Sequence, residues 1–462
     1  VSFPIYSLPL HSIPNSSFLI PHCRRMNWQQ LISNKRLGQE DLHVNKKDDR
    51  TEFKRDYDRL IFSAPFRRMQ NKTQVFPLPG SVFVHNRLTH SLEVASVGRS
   101  LGDDVAHKLI ARHPELDGTL FAEIGSIVSA ACLAHDMGNP PFGHSGERAI
   151  ASYFSEGDGI KYKGQLTPEQ WADITHFDGN ANAFRLLTHQ FKGRRVGGFV
   201  LTYSTLASIV KYPFPAIEAT KQKFGYFTQE QSLYERIATE LGIDRSATGW
   251  HRHPLAYLVE AADDICYEIM DIEDAHKLKI LSFEETRTLM LGFVSPERRE
   301  HIIQRAADVS DLNEQVAYYR SCAIGELEKE CVRVFVENEE AILHGTFGKS
   351  LIDHSCPLVH DAYEACVEVA MSRIYRSRDV VDTELAGYKI IYTLMGLFIH
   401  AVMNPQHAYS RLLLDRVSSQ YEVDSPDTYV RIMAVLDYLS GMTDVFALDL
   451  YRKINGESLP MI

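Results

Sequence analysis

A nearly continuous apolar segment at residues 120–135 constrains the fold of this chain more than any other feature. It reads LFAEIGSIVSAACLAH and is followed by the sequence DMGNPPFG, whose glycine and prolines stop a helix. A helix that is apolar on every side is buried among other helices. The segment therefore predicts a central core helix that delivers His135 and Asp136 to a tight bend.

Helical spacing of apolar residues dominates the rest of the chain. It predicts further helices at residues 146–154, 180–191, 255–275, 358–375, 383–403 and 429–439. Strand signals are confined to residues 74–77 and 82–84, which form a candidate hairpin around Pro79-Gly80. The pattern predicts an all-α protein.

Three parts are predicted along the chain. Residues 1–25 contain four prolines and no helical period. We expect a disordered tail or an artificial leader ahead of a natural start at Met26, with a natural flexible arm as the alternative. Residues 26–280 are predicted to form the core bundle, and residues 281–462 a second helical lobe. The charge-rich residues 296–314 lie near the junction.

Composition limits the classes of function. The net charge of −11 argues against a protein that coats nucleic acid, although a local basic groove is compatible with it. The seven cysteines include no CxxC pair, which favours a reducing cytoplasm without disulfides. The longest apolar run, residues 390–403, is too short to span a bilayer and predicts a buried core helix rather than a membrane segment.

Metal-ligand residue types recur in separated helical segments. A His-Asp pair alone is usually a surface feature, but His135-Asp136 closes a buried helix, where a carboxylate must be paired or metal-bound. Asp263 lies among apolar residues of another predicted helix, with a solvated acidic face as the alternative. His90 shares a helix side with Arg87, with a polar helix start as the alternative.

Two further spacings place polar side chains together. Asp263, Tyr267 and Asp271 are spaced i, i+4 and i+8, so they share one helix face. His144 and Glu147 are spaced i and i+3, which lets a carboxylate orient an imidazole as a general acid or base. The alternative is an ordinary acidic helix start.

Taken together, these elements resemble the HD-domain superfamily of phosphohydrolases, whose H…HD…D ligand pattern falls on His90, His135-Asp136 and Asp263. The finer resemblance is to the deoxyguanosinetriphosphate triphosphohydrolases. It rests on seven runs in the family order: FRRMQNKTQVFPL, NRLTHSLEVASVGR, HDMGNPPFGHSGERAI, FDGNANAFRLL, TYSTLASIVKYP, EAADDICYEIMDIEDA and GMTDVFALDLY. The family's FEGN motif reads FDGN here.

The resemblance implies an HD-domain helical bundle with an additional C-terminal lobe. It also implies hydrolysis of dGTP, or of other deoxynucleoside triphosphates, at the α-phosphate to deoxynucleoside and tripolyphosphate. The four ligands would hold one divalent metal, Mg²⁺ or Mn²⁺, with Fe²⁺ or Zn²⁺ as alternatives.

Roles for other residues follow from the same resemblance. His144 and Glu147 match the catalytic pair, Gln74 the sugar contact and Arg87 the α-phosphate contact. The remaining substrate contacts fall on Lys211, Tyr212, Tyr267 and Asp271, and Tyr267 would reject a 2′-hydroxyl.

The resemblance also implies a homo-oligomer built from dimers, with a hexamer as one arrangement, in which the C-terminal lobe completes neighbouring sites. A nucleotide or single-stranded DNA is a candidate effector. The apolar helices at residues 390–403 and 432–439 are expected at the interface, unless they pack inside one subunit. The alternative functions are hydrolysis of another nucleotide phosphoester and a catalytically idle sensor of deoxynucleotides or nucleic acid.

Overall fold

The structure, a computed structural model, describes residues 25–40, 50–76 and 84–458. Within these ranges the chain is helical, and β pairing is limited to isolated bridges such as that between Thr73 and Asn86. The predicted all-α class is confirmed. The predicted hairpin falls mostly on residues 77–83, outside the described residues, and its described flanks form no strand. Residues 1–24 of the predicted tail also lie outside them.

In the described ranges the α-helices, in chain order, are α1 Trp28–Leu31, α2 Glu52–Ile61, α3 Ala64–Arg68, α4 Arg87–Arg112, α5 Gly118–Phe121, α6 Ile124–Ala134, α7 Gly143–Ser155, α8 Pro168–Thr175, α9 Gly179–Thr188, α10 Tyr203–Ile209, α11 Gln231–Glu240, α12 Ala256–Lys277, α13 Phe283–Gly292, α14 Pro296–Ala307, α15 Leu312–Glu337, α16 Glu339–Leu343, α17 Pro357–Val369, α18 Arg378–Met403, α19 Ala408–Leu414, α20 Thr428–Ser440 and α21 Asp444–Ile454. Shorter turns are the 3₁₀ helices Met69–Asn71, Asp158–Gln165, Ala216–Glu218, Thr228–Glu230 and Ile352–His354, and the π-turn Ala370–Ile374.

Helix α6 lies at the centre of the first hydrophobic core, and all of its residues except Ser126 are buried. Helices α2, α4, α10 and α12 pack around it. The backbones of α4 and α6 approach closely, since a Cβ on Gly102 would lie 2.7 Å from the Cα of Gly125. The predicted helix at residues 120–135 is broken between α5 and α6, where the charged Glu123 accepts a hydrogen bond from Thr51 Oγ1 at 2.9 Å.

A second core joins α7 and α8 to α18, α20 and α21. In the part of the chain that the structure describes, α18 alone is long and apolar enough to cross a membrane. Its Ile391, Leu394 and Phe398 are fully buried in this core. The helix therefore packs as the core helix that the sequence predicts.

The same burial corrects the argument for an interface. The apolar faces of residues 390–403 and 432–439 pack inside one subunit rather than lying exposed, so they give no support for an oligomer. The first core also continues beyond residue 280, through Tyr319, Leu327 and Phe335 of α15. The predicted division at residue 280 is therefore not a boundary between hydrophobic cores.

Candidate metal centre and adjoining cleft

Three central helices bring the predicted metal ligands together. His90 lies in the first turn of α4, which the Asn86 side chain caps. His135 ends α6, Asp136 follows it, and Asp263 lies in the middle of α12. Because these helices pack directly on one another, the core fixes the relative positions of the ligands.

The three side chains His90, His135 and Asp263 form a compact cluster. Asp263 Oδ1 lies 3.1 Å from His90 Nε2 and 3.4 Å from His135 Nε2. One ligand atom from each lies within 4.8 Å of the others. Two imidazole nitrogens and a carboxylate suit a divalent cation.

The ring of His135 is oriented for coordination. Its Nδ1 lies 2.6 Å from the Cys132 carbonyl oxygen, so Nδ1–H is the donor and Nε2 is the atom that can bind either a proton or a cation. Nε2 is buried and makes no hydrogen bond within the described residues. A buried ring nitrogen without a hydrogen bond, 3.4 Å from a carboxylate oxygen of Asp263, fits a metal ligand better than a structural histidine.

The fourth predicted ligand, Asp136, lies beside the cluster, and each of its carboxylate oxygens accepts a hydrogen bond. Its Oδ1 is 3.7 Å from His135 Nε2 and accepts from Asn139 Nδ2 at 2.5 Å. Its Oδ2 accepts from Arg87 Nη1 at 2.6 Å. Each carboxylate oxygen keeps a second lone pair, so Asp136 can join the ligand set while these two partners hold its orientation.

Attraction between the imidazoles and the carboxylates stabilises the charged forms of Asp263 and His135. Burial alone would raise the pKa of Asp263, but the neighbouring imidazoles of His135 and His90 hold it well below its usual range. Burial likewise opposes the charge of His135, but Asp263 and Asp136 raise its pKa to about 9. A bound cation would take over the role of the proton on this imidazole.

A cleft of about 390 Å³ adjoins the cluster. Gln74, His144 and Tyr267 line it, together with Tyr375 from the end of the π-turn. The Tyr267 ring links the cleft to the cluster, since its centroid lies 6.3 Å from that of His90. The Oε1 atom of Gln74 is a buried acceptor without a hydrogen bond in the described residues.

The predicted pair His144 and Glu147 lies on α7, but no hydrogen bond joins the two side chains in the described part of the chain. The His144 ring faces the cleft, while the buried Glu147 accepts from Gly179 N at 2.7 Å. Desolvation and the cations Lys223 and Arg87 lower the pKa of His144. Burial raises the pKa of Glu147, and Lys223 opposes that effect.

Besides Arg148, which lines the cleft, three cations lie near the cluster and the cleft. Arg87 is paired with Asp136, and Lys211 Nζ lies 3.2 Å from Glu260 Oε1. The third, Lys223, lies 3.3 Å from Asp178 Oδ1 and 4.0 Å from Glu147 Oε2. Sequence reasoning missed Lys223, because a single lysine in an irregular segment gives no periodic signal.

Four of the six predicted substrate contacts do not line the cleft, namely Arg87, Lys211, Asp271 and Tyr212. Asp271 is buried and accepts from the hydroxyl of Tyr375 at 2.7 Å, so it holds a cleft residue in place. Burial raises the pKa of Asp271 well above its usual range. Tyr212 packs beside Lys211, whose ammonium lies 5.7 Å from the ring centroid.

Comparison with known proteins identifies the family of the chain. The model of the HD domain matches residues 87–240, and that of the phosphohydrolase-associated domain matches residues 357–453. The chain is 37% identical to a deoxyguanosinetriphosphate triphosphohydrolase-like protein of Pseudomonas aeruginosa, over 94% of this chain and 100% of the relative. A protein of the same name from Synechocystis is 38% identical over the same shares. The deoxyguanosinetriphosphate triphosphohydrolase of Yersinia enterocolitica is 29% identical over 87% of this chain and 93% of its own length.

Proposed function

Because the chain belongs to the HD-domain family of deoxyguanosinetriphosphate triphosphohydrolases and their relatives, and is therefore a hydrolase, we propose that it hydrolyses deoxynucleoside triphosphates, with dGTP preferred. Water adds to the α-phosphorus, the bond to the 5′ oxygen breaks, and deoxynucleoside and tripolyphosphate leave. The observation that carries the proposal is the His90–His135–Asp263 cluster next to a cleft with an unsatisfied Gln74 acceptor.

One divalent metal would be held by His90, His135 and Asp263, with Asp136 as the fourth ligand. A triphosphate substrate and carboxylate ligands favour Mg²⁺ or Mn²⁺, and the imidazoles also suit Fe²⁺ or Zn²⁺. When bound, such a metal polarises a phosphoryl oxygen and activates water.

The triphosphate would be neutralised by Arg87, Lys211 and Lys223. Each of these cations is paired with a carboxylate of the protein, so phosphate oxygens would compete with Asp136, Glu260 and Asp178 for them. Exchange of one anionic partner for another keeps the buried Arg87 and the partly buried Lys211 and Lys223 compensated.

The deoxyribose would lie between Gln74 and Tyr267. The unsatisfied Gln74 Oε1 can accept a hydrogen bond from a sugar hydroxyl. The Tyr267 ring packs against Tyr375, with centroids 6.1 Å apart, so it has little freedom to move aside. We propose that this rigid ring excludes a 2′-hydroxyl by steric conflict.

His144 is proposed to deliver a proton to the departing 5′ oxygen. In the free protein its lowered pKa keeps the ring neutral near pH 7. Bound triphosphate would offset the positive field of Lys223 and Arg87, and the imidazole would then gain the proton that it transfers. Glu147 supports this role by anchoring α7 to Gly179.

A homo-oligomer built from dimers is also proposed. Met371 at the cleft and Val381 and Leu385 on the adjoining α18 are exposed apolar side chains, with Leu385 66% exposed. A neighbouring subunit that covers them would close the cleft, which fits a symmetric assembly.

The test is hydrolysis of each deoxynucleoside triphosphate, and of GTP, with Mn²⁺ or Mg²⁺, followed by chromatographic separation of tripolyphosphate, pyrophosphate and phosphate. We expect equal amounts of deoxyguanosine and tripolyphosphate from dGTP. Asp263→Asn should abolish the reaction, whereas the exposed Asp361→Asn should not.

Other products would identify other functions. Release of pyrophosphate or phosphate would assign the site to a different phosphoester reaction. Nucleotide binding with full metal content and no turnover would make the protein a sensor and overturn the proposal.

A further inference from the structure

The carboxylate of Asp444, the first residue of α21, connects two backbone segments of the cleft. Its Oδ2 accepts from Thr73 N at 2.7 Å, and its Oδ1 accepts from Phe142 N at 2.9 Å. Thr73 directly precedes Gln74, and Phe142 lies two residues before His144. Asp444 is 5% exposed, so neither backbone N–H has ready access to water as a substitute acceptor.

The turn at Phe142 needs such support. Phe142 has a φ of +61°, a left-handed conformation that aromatic residues rarely adopt. The C-terminal part of the chain holds this turn from two further sides. Gly387 of α18 lies so close that a Cβ there would come within 2.5 Å of the Phe142 Cβ, and Ser145 Oγ donates to the Glu384 carbonyl at 2.6 Å.

A second buried contact, made by Lys72, connects the C-terminal helices with residues next to the His90–His135–Asp263 cluster. Lys72 Nζ donates to the carbonyl oxygens of Asn139, at 2.5 Å, and of Ser440 on α20, at 2.8 Å. Asn139 in turn donates to Asp136. Two buried charged side chains, Asp444 and Lys72, therefore connect the C-terminal helices with the segments 72–74 and 139–142 beside the cleft.

We propose that Asp444 is a positioning residue for the reaction, because its two hydrogen bonds hold Gln74 and His144 in register across the cleft. This inference rests on the proposed function, which assigns these two residues to the substrate. Asp444 itself does not contact the substrate.

The experiment compares Asp444→Ala with Asp449→Ala in the full-length protein. Asp449 lies on the same helix, but its exposed carboxylate pairs only locally, with Lys453 at 2.6 Å. We expect Asp444→Ala to lower kcat between about tenfold and 10²-fold, the penalty for a small misplacement of reacting groups. KM and metal content should stay close to those of the wild type.

Hydrogen–deuterium exchange gives a readout that does not depend on activity. Residues 72–76 and 140–145 should exchange at least about tenfold faster in Asp444→Ala, since two buried N–H groups lose their acceptor. If the alanine variant does not fold, Asp444→Asn serves instead, because its single carbonyl oxygen can replace one of the two acceptors.

Three outcomes separate the explanations. Unchanged exchange in a folded variant would overturn the role of Asp444, whatever its turnover. A loss of kcat that only parallels lost metal or lost folded protein would also overturn it. A wild type without activity on any deoxynucleoside triphosphate would refute the proposed function, while the exchange data would still decide whether Asp444 positions the two segments.

Discussion

Replacing Gly143 with alanine tests whether the conformation of the turn before His144 and the Arg87–Asp136 hydrogen bond depend on each other. Gly143 has a φ of +53°, and a Cβ there would lie 2.4 Å from Arg87 Nη2. A left-handed alanine costs about 1–2 kcal/mol. The methyl group must also displace the guanidinium whose Nη1 donates to Asp136 at 2.6 Å, and loss of a charged hydrogen bond costs about 1.5–3 kcal/mol.

The two costs sum to about 2.5–5 kcal/mol of folding stability. We therefore expect Gly143→Ala to unfold at a lower temperature than the wild type. Its kcat/KM for dGTP should fall roughly 10- to 10²-fold, because Arg87 and His144 both shift. Calorimetry and steady-state kinetics measure the two effects. Gly164→Ala is the matched control, since a Cβ there meets no atom within 4 Å.

The reasoning would be refuted if Gly143→Ala matched Gly164→Ala in both melting temperature and kcat/KM. A protein that lost stability but kept the kcat/KM of the control would refute the functional half alone. In that case the Arg87 side chain would have relaxed without disturbing the cleft.

Four further predictions follow from individual side chains. Asp136→Ala should remove bound metal and activity together. Metal analysis of the variant checks this, and full metal occupancy with normal turnover would contradict it. His144→Ala should keep the metal and lower kcat by roughly 10²–10⁴-fold, and a change mainly in KM would make it a binding residue instead. Tyr267→Ala should narrow the difference between dGTP and GTP turnover. Burial raises the pKa of Asp173 to about 7 from 3.8, so the fold favours the protonated acid and loses stability as the pH rises between these values. Burial also raises the pKa values of Asp264, Glu268 and Glu328 to about 7, so Asp173→Asn should weaken this dependence without abolishing it, as melting temperatures at pH 4 and pH 8 would show.

The cluster of His90, His135 and Asp263 was predictable because these residues lie on, or directly after, regular helices. A helix that is apolar all round must be central, so the residues at its end enter the core with it. This placed His135 in the core, and the packing of α4 and α12 on α6 brings His90 and Asp263 to it. Periodicity could not show that Arg87 and Asn139 occupy the oxygens of Asp136, because those contacts depend on side-chain rotamers.

The cleft was less predictable, because its lining comes from irregular segments and distant helices. No spacing in the sequence connects Tyr375 with Asp271, or Lys223 with Asp178. The i, i+3 spacing correctly placed His144 and Glu147 on one helix. It could not show that the backbone N–H of Gly179, at the start of α9, donates to the Glu147 carboxylate in the place expected for His144.

The His90–His135–Asp263 cluster depends on helices of the first hydrophobic core and His144 lies on a helix of the second, so their separation depends on how the two cores pack together. Arg185 of α9 holds both oxygens of Asp437 on α20 at 2.8 Å and Glu230 at 2.7 Å, with all three side chains buried. Removing one member of such a group leaves an uncompensated buried charge, which costs about 3–5 kcal/mol. These buried ion pairs therefore stabilise the contact between α9 and α20, and Asp444 and Lys72 lie at the same junction, next to the cleft. It follows that substitutions in the C-terminal helices should disturb the alignment of His144 with the His90–His135–Asp263 cluster before they disturb the cluster itself, whose candidate ligands come from α4, from α12 and from the two residues after α6.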